Sequence, residues 1–197
     1  MRNVVKLLIV GQVNVGKTSL VNCFKEGRSQ NNAVYTPTVS VDNYSKDVIL
    51  ADGKAVTIQM KDMAGNFQMQ DLVREHCRDS HCIILCYNLT SRLSFENLPD
   101  WLEEIEKDQV GKTLPVVLVA TKMDLAADQR QVSEDKGYSK QREIGEKCIL
   151  FRETTTYGND VSSVTQLFME VAEIILQQRS SSIVVPQSIM MSTDDGA

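Results

Sequence analysis

The sequence predicts an α/β fold: a mostly parallel six-stranded sheet with one antiparallel edge strand and helices on both faces. Three observations predict it. Short apolar runs alternate with stretches of helical character along most of the chain. One run, residues 114–120 (Leu-Pro-Val-Val-Leu-Val-Ala), is apolar on both faces, as an interior parallel strand is. Asp52-Gly53 separates two β-rich runs, and that dipeptide closes hairpins because glycine takes positive φ without steric cost.

The elements follow in order. Residues 4–10 read as a buried first strand ended by Gly11, and residues 18–25 as the first helix. The polar, aperiodic segment 28–37 reads as a loop that ends in Pro37. Residues 42–50 and 54–61 form the hairpin, and 82–89, 114–120 and 147–151 supply the remaining strands. Helices are expected over 94–107, 139–147 and 160–178, with Pro99 at a first turn or a kink. In the last of these Val161, Val164, Phe168, Val171 and Ile175 form one core-packing stripe behind Asp160 as N-cap. Strands that alternate with helices imply right-handed crossovers, and such sheets bind ligands at the strand carboxyl ends. One domain is expected over residues 1–178, followed by a flexible tail over 179–197.

Composition narrows the partners. Apolar residues make 42% of the chain and charged residues 24%, which is ordinary for a globular domain. The net charge of −5 shows no chain-wide basic footprint, so no nucleic-acid partner is expected. No apolar stretch approaches the roughly 18 residues of a membrane span. Five cysteines at irregular spacing, with no secretory segment ahead of them, read as free thiols in a reducing, cytoplasmic compartment. His76-Cys77 and His81-Cys82 resemble a metal quartet, but ordinary thiols at strand and helix positions are the simpler reading. The acidic run 103–108 reads as a solvated helix face.

Gly11-Gln-Val-Asn-Val-Gly16-Lys17-Thr18 matches the phosphate-loop pattern in full, after a strand and before a helix. The glycines let backbone wrap a phosphate chain. The N–H groups from Asn14 through Val15, Gly16 and Lys17 to Ser19 form a nest at a helix N-terminus. The Lys17 ammonium is placed for the β- and γ-phosphates, and the Thr18 hydroxyl for Mg²⁺. Four further segments choose the base and the chemistry. Asp62-Met-Ala-Gly65 places a carboxylate at the metal and the Gly65 N–H at the γ-phosphate. Thr38, after Thr36-Pro37, caps the metal from the other side. Thr121-Lys122-Met123-Asp124 offers a carboxylate to guanine N1–H and N2–H₂, which adenine cannot supply. Glu153-Thr154-Thr155-Thr156 brings backbone N–H groups toward guanine O6.

With these segments in order, the chain resembles a Ras-superfamily small GTPase over about residues 3–178. The resemblance implies a P-loop NTPase G domain, bound GTP or GDP with Mg²⁺, and protein partners: effectors, an exchange factor and a GTPase-activating protein. A monomer is expected. Residues 35–45, Asp52-Gly-Lys54 and Thr121-Lys-Met-Asp124 resemble Rho proteins. Ala64-Gly65, Ser80-His81-Cys82-Ile83 and Phe151-Arg-Glu-Thr154 resemble Rab proteins. The family also implies that Tyr35 joins Val13 at the phosphates, and that Lys122, Thr155 and Thr156 stand around the base. A role in membrane traffic or cytoskeletal signalling follows by resemblance.

Departures from the family pattern fall on catalysis and affinity. The water-orienting Gln after Asp-x-x-Gly is Asn66, one methylene shorter, followed by Phe67. Val13 stands where relatives usually carry Gly beside the γ-phosphate. Slow intrinsic hydrolysis is therefore expected. The usual guanine-stacking aromatic is missing, since position 31 is Asn and no Phe, Tyr or Trp lies between Arg28 and Val34. The Arg28 guanidinium is the candidate substitute, and faster nucleotide release is expected. Asn43, Lys61 and Cys77 occupy the positions of the exposed aromatic cluster of Rab proteins, which predicts a more polar effector face. No cysteine follows Cys148, so membrane contact is expected only through partners. Two other readings remain: a binding module that holds nucleotide with little hydrolysis, and an ATP-using P-loop enzyme.

Overall fold

A computed structural model describes residues 3–31, 36–66, 70–107 and 113–181. Its centre is a six-stranded sheet of β1 (Asn3–Val10), β2 (Val41–Ile49), β3 (Ala55–Met63), β4 (Cys82–Asn88), β5 (Val116–Thr121) and β6 (Cys148–Glu153). The strand order is β2-β3-β1-β4-β5-β6. Only the β2–β3 edge pair is antiparallel, through the hairpin at Asp52-Gly53; all other pairs are parallel. The predicted fold class is the observed one.

Period-two alternation divides the core. Val5, Leu7 and Ile9 of β1, Cys82, Ile84 and Cys86 of β4, and Val117 and Val119 of β5 face one layer. That layer is covered by α1 (Lys17–Glu26) and α7 (Ser162–Ser181), and Phe24 of α1 stacks on Phe168 of α7 at 4.2 Å. The intervening residues, Leu8 and Val10, Ile83, Leu85 and Tyr87, and Val116, Leu118 and Ala120, face the opposite layer. There they meet α2 (Gln70–Arg78) and α4 (Leu98–Glu106), which bury Val73, Trp101 and Ile105. The stripe on α7 is core, as expected: Val164, Phe168, Val171 and Ile175 are buried, and Val161 packs against them. All five cysteines are buried and none is in a disulfide. Burial pushes the Cys86 thiol up to about 12 and raises Cys23, Cys82 and Cys148 as well, which suits packing groups better than reactive thiols. Among the described residues no His/Cys/Asp/Glu cluster could hold a metal, and His81 Nδ1 instead accepts from the Lys6 N–H at 3.1 Å.

Several boundaries differ from the sequence reading. Helix α2 was not anticipated at all. The single helix expected over 94–107 is two, α3 (Arg92–Glu96) and α4, with Pro99 in the first turn of α4. The helix expected from residue 139 begins five residues earlier as α6 (Glu134–Ile144), behind a short α5 (Ala126–Gln129). Ser133 caps α6 by accepting from the Lys136 N–H, and Glu134 and Asp135 complement its N-terminal dipole. Asp160 stands just ahead of α7 and accepts from the Ser162 N–H at 2.8 Å, the bond by which a capping carboxylate satisfies a first-turn donor. Helix α7 runs to Ser181, and the rest of the expected tail, 182–197, lies outside the described residues. No helix among the described residues is long and apolar enough to cross a membrane.

Gly137, in the middle of α6, inverts the usual propensity rule. A Cβ there would stand 2.7 Å from Cε1 of Phe151, a buried ring already packed edge-on by Tyr138. Gly→Ala within a helix ordinarily stabilises by about 1 kcal/mol. Gly137→Ala is expected instead to destabilise by about 1–3 kcal/mol through overpacking. The urea midpoint should fall, and adding Phe151→Leu should recover part of the loss.

Candidate functional site

The sheet delivers one cleft at its carboxyl edge. Its volume is about 360 Å³, within the range of small-ligand pockets. Loops after β1, β3, β5 and β6 converge there, and Thr36 and Thr38 close one side.

The turn from β1 to α1 forms the floor. Gly11 has φ of 136°, and any Cβ on it would overlap the Cys86 carbonyl of β4, so only glycine lets the chain leave the sheet here. Asn14 and Gly16 also take positive φ. Gly16 caps α1 with no side-chain acceptor, and the first turn carries no acidic residue. The opening N–H groups of α1 therefore keep their donors and their positive end of the dipole. The Lys17 ammonium is buried and donates to Gly11 O at 2.7 Å and Gln12 O at 2.9 Å. Burial holds its pKa below the ordinary lysine value, with the nearby Cys86 and Asp62 opposing that shift. An anion beside this ammonium would oppose that shift.

Three expected metal ligands meet at one point. The Thr18 hydroxyl donates to Asp62 Oδ2 at 2.5 Å and lies 2.9 Å from the Thr38 hydroxyl. Thr38 is 3.5 Å from the same Asp62 oxygen. Asp62 is fully buried at the end of β3, and its Oδ1 has no hydrogen-bond partner. Burial drives its carboxyl pKa upward against the Thr18 hydrogen bond and the Lys17 charge. A hard cation suits these oxygen donors and would satisfy the orphaned Oδ1. Gly65 packs on the same floor, where a Cβ would stand 2.6 Å from Val13 Cα.

The far end of the cleft is built from the β5 and β6 loops. Lys122 sits in the left-handed region at φ 61°, half-buried on the cleft wall. Burial lowers its pKa, with Asp124 opposing. The Thr155 hydroxyl donates to Asp124 Oδ1 at 2.6 Å and accepts from the Tyr157 N–H at 3.0 Å. Backbone bonds tie the loops together: Met123 N to Thr154 O at 3.1 Å and Thr154 N to Ala120 O at 2.8 Å. Thr121 reaches the phosphate loop directly. Its hydroxyl lies within hydrogen-bond reach of Val15 O and, at 3.0 Å, of Tyr87 O. Thr121 thereby braces the phosphate loop against the end of β5.

Most sequence-predicted site residues line this cleft: Val13, Asn14, Gly16, Lys17, Thr18, Ser19, Thr38, Gly65, Thr121, Lys122 and Thr156. Val15 is buried behind it, while Asp62, Asp124 and Thr155 adjoin it through the bonds above. Asn66 is exposed beside Gly65 and is not part of the lining. Tyr35 and Phe67 lie outside the described residues. Arg28 does not fill the base pocket; it is exposed and donates to Glu26 at 2.8 Å. Nor does Cys77 belong to a surface, since it is buried under the sheet. Asn22, Gln30 and Tyr157 line the cleft without having been anticipated. Asn22 was readable, one helical turn beyond Thr18, whereas Gln30 and Tyr157 arrive by loop packing that leaves no periodic trace. A family model described as the Ras family matches residues 6–177.

Thr121→Val keeps shape but leaves the Val15 and Tyr87 carbonyls without their hydroxyl. Stability is expected to drop by about 1–3 kcal/mol. Release of a fluorescent nucleotide should quicken as the phosphate loop loosens, and Thr121→Ser should keep both properties near wild type.

Proposed function

The chain belongs to the Ras family of small GTPases, and we propose that it is a Rab- or Rho-type guanine-nucleotide switch that hydrolyses GTP slowly. The observation that carries the reading is the convergence of an unopposed helix N-terminus, the buried Lys17 and the Thr18–Thr38–Asp62 triangle beside an Asp124 anchored by Thr155. Each part has one task. The N–H groups from Asn14 to Ser19 and the Lys17 ammonium hold the phosphates. Thr18, Thr38 and Asp62 hold Mg²⁺, which when bound neutralises charge developing on the phosphate oxygens. Asp124 accepts from guanine N1–H and N2–H₂, while Lys122, Thr155 and Thr156 enclose the base. The Gly65 N–H addresses the γ-phosphate side.

Hydrolysis adds water across the terminal phosphoanhydride and releases GDP and phosphate. Asn66 carries the amide that would orient that water, from a shorter stem than glutamine. Val13 lines the cleft at 53% exposure with its backbone close against Gly65, and in this reading its branched side chain crowds water and any incoming arginine. This crowding also supports a second reading, a nucleotide-holding module with little turnover. Traffic or cytoskeletal signalling, regulation by an exchange factor and a GTPase-activating protein, a monomeric state, and a cytoplasmic location with membrane contact through partners are the biological part of the proposal. Asn43 is exposed and Lys61 half-buried against Asp79 at 3.2 Å, which supports a polar effector face.

Calorimetric titration against GDP, GTP, ADP and ATP tests the reading, with tight binding of the guanine pair expected and equal affinities fatal to it. Asp124→Asn should shift preference from GDP toward XDP, because xanthine presents a carbonyl where guanine has its amino group; an unchanged ratio would mean that Asp124 merely caps its turn. A polar group left unpaired against the bound base costs about 1–3 kcal/mol, a shift in the ratio of roughly 5- to 150-fold. Single-turnover hydrolysis by Val13→Gly with Asn66→Gln should exceed wild type, and equal rates would remove these two residues as the cause of slowness.

A further inference from the structure

The base end of the cleft contains an aromatic that its sequence position does not advertise. Among the described residues lining the cleft, Tyr157 is the one aromatic, and its side chain is 42% exposed. Its backbone is fixed on both sides. The Tyr157 N–H donates to the Thr155 hydroxyl, which in turn donates to Asp124. The next N–H, of Gly158, donates to Asn31 Oδ1 at 2.9 Å, and Gln30 N–H donates to Thr156 O at 2.8 Å. Residues 30–31 are thereby spent as a clamp on the loop that carries Tyr157. They lie in the segment where relatives present a base-stacking aromatic, and this chain has Gln and Asn there.

We propose that the Tyr157 ring is the stacking platform for the guanine base, supplied by the β6–α7 loop instead of the segment after α1. The inference rests on the guanine reading above and names the residue that completes it. Every base has a π-face, so a ring fixed within the cleft gains affinity without selecting the base. Selection stays with Asp124, to which Tyr157 is tied by a single threonine hydroxyl. A ring with two rotatable bonds on a pinned backbone also loses little freedom when it stacks.

Stopped-flow release of fluorescently labelled GDP from wild type, Tyr157→Ala and Tyr157→Phe provides the test, with circular dichroism at saturating GDP confirming the fold. Tyr157→Ala should release GDP about 5- to 100-fold faster, and Tyr157→Phe should stay within about twofold of wild type. The guanine H8 resonance of bound GDP should carry a ring-current shift in wild type and Tyr157→Phe that disappears in Tyr157→Ala. If Tyr157→Ala does not fold, Tyr157→Leu decides, since it keeps apolar bulk without a π-face, and accelerated release with loss of the shift is again expected. Guanine-selective binding with unchanged release in the folded variant overturns this inference alone, as does Tyr157→Phe releasing as fast as Tyr157→Ala. Equal wild-type affinity for GDP and ADP overturns the guanine reading and this inference with it.

Discussion

The site depends on two opposite charges buried close together and each poorly served by protein alone. Lys17 is held by two carbonyls of its own loop, and Asp62 by two threonine hydroxyls with one oxygen unmatched. Burial disfavours the ionised form of both, lowering the lysine pKa and raising the carboxyl. A polyanion at the lysine and a divalent cation at the carboxylate would reverse both shifts together. Each ligand favours the ionised form of the group it approaches, and the anion and the cation attract one another directly, so each strengthens binding of the other.

Topology is what brings these groups within reach. β1 runs parallel between β3 and β4, with Ile9 in register with Asp62 on one side and Ile84 on the other. The carboxyl ends of all three strands therefore open onto the same space. Gly11 can leave the sheet only by passing against the Cys86 carbonyl of β4, a contact no side chain permits. The antiparallel edge pair serves a different purpose: β2 returns the chain from Thr38 so that its hydroxyl reaches the Thr18–Asp62 pair across two strands.

What the sequence disclosed, and what it hid, follows from the range of the forces involved. The phosphate loop, the hairpin at Asp52-Gly53 and the apolar runs of β1 and β5 are local signals, and each falls where the residues place it. Helix α2 was illegible because polar residues dominate it; among its described side chains Val73 and Cys77 are carried under the sheet. The start of α6 was legible in principle, since Ser133 followed by Glu134 and Asp135 is an N-terminal signature, but the weak apolar stripe of that helix masked it. Tyr157 and Gln30 could not be found by spacing. Gln30 and Thr156 are brought together by a backbone hydrogen bond between loops far apart in sequence, and no pattern in either loop encodes it.

The two ends of the cleft are constructed on different terms, and the sequence departures respect the difference. At the base end the loops are joined by backbone hydrogen bonds from residue 154 to 120, from 123 to 154 and from 30 to 156, with threonine hydroxyls at 121 and 155 locking the joins. The backbone bonds do not depend on which side chain occupies a position, whereas Asn31 adds a clamp through its own Oδ1, which accepts from the Gly158 N–H. The phosphate end relies on named side chains at Lys17, Thr18, Thr38 and Asp62, and there the residues are those the chemistry requires. Val13 and Asn66 sit at neither anchor. Val13 lines the cleft and Asn66 is exposed beside Gly65, outside the lining, so substitution at either leaves the anchoring side chains unchanged. On the proposed reading, binding and turnover are thereby separable. A chain can drift in its hydrolytic residues without losing the donors that bind phosphate, metal and base.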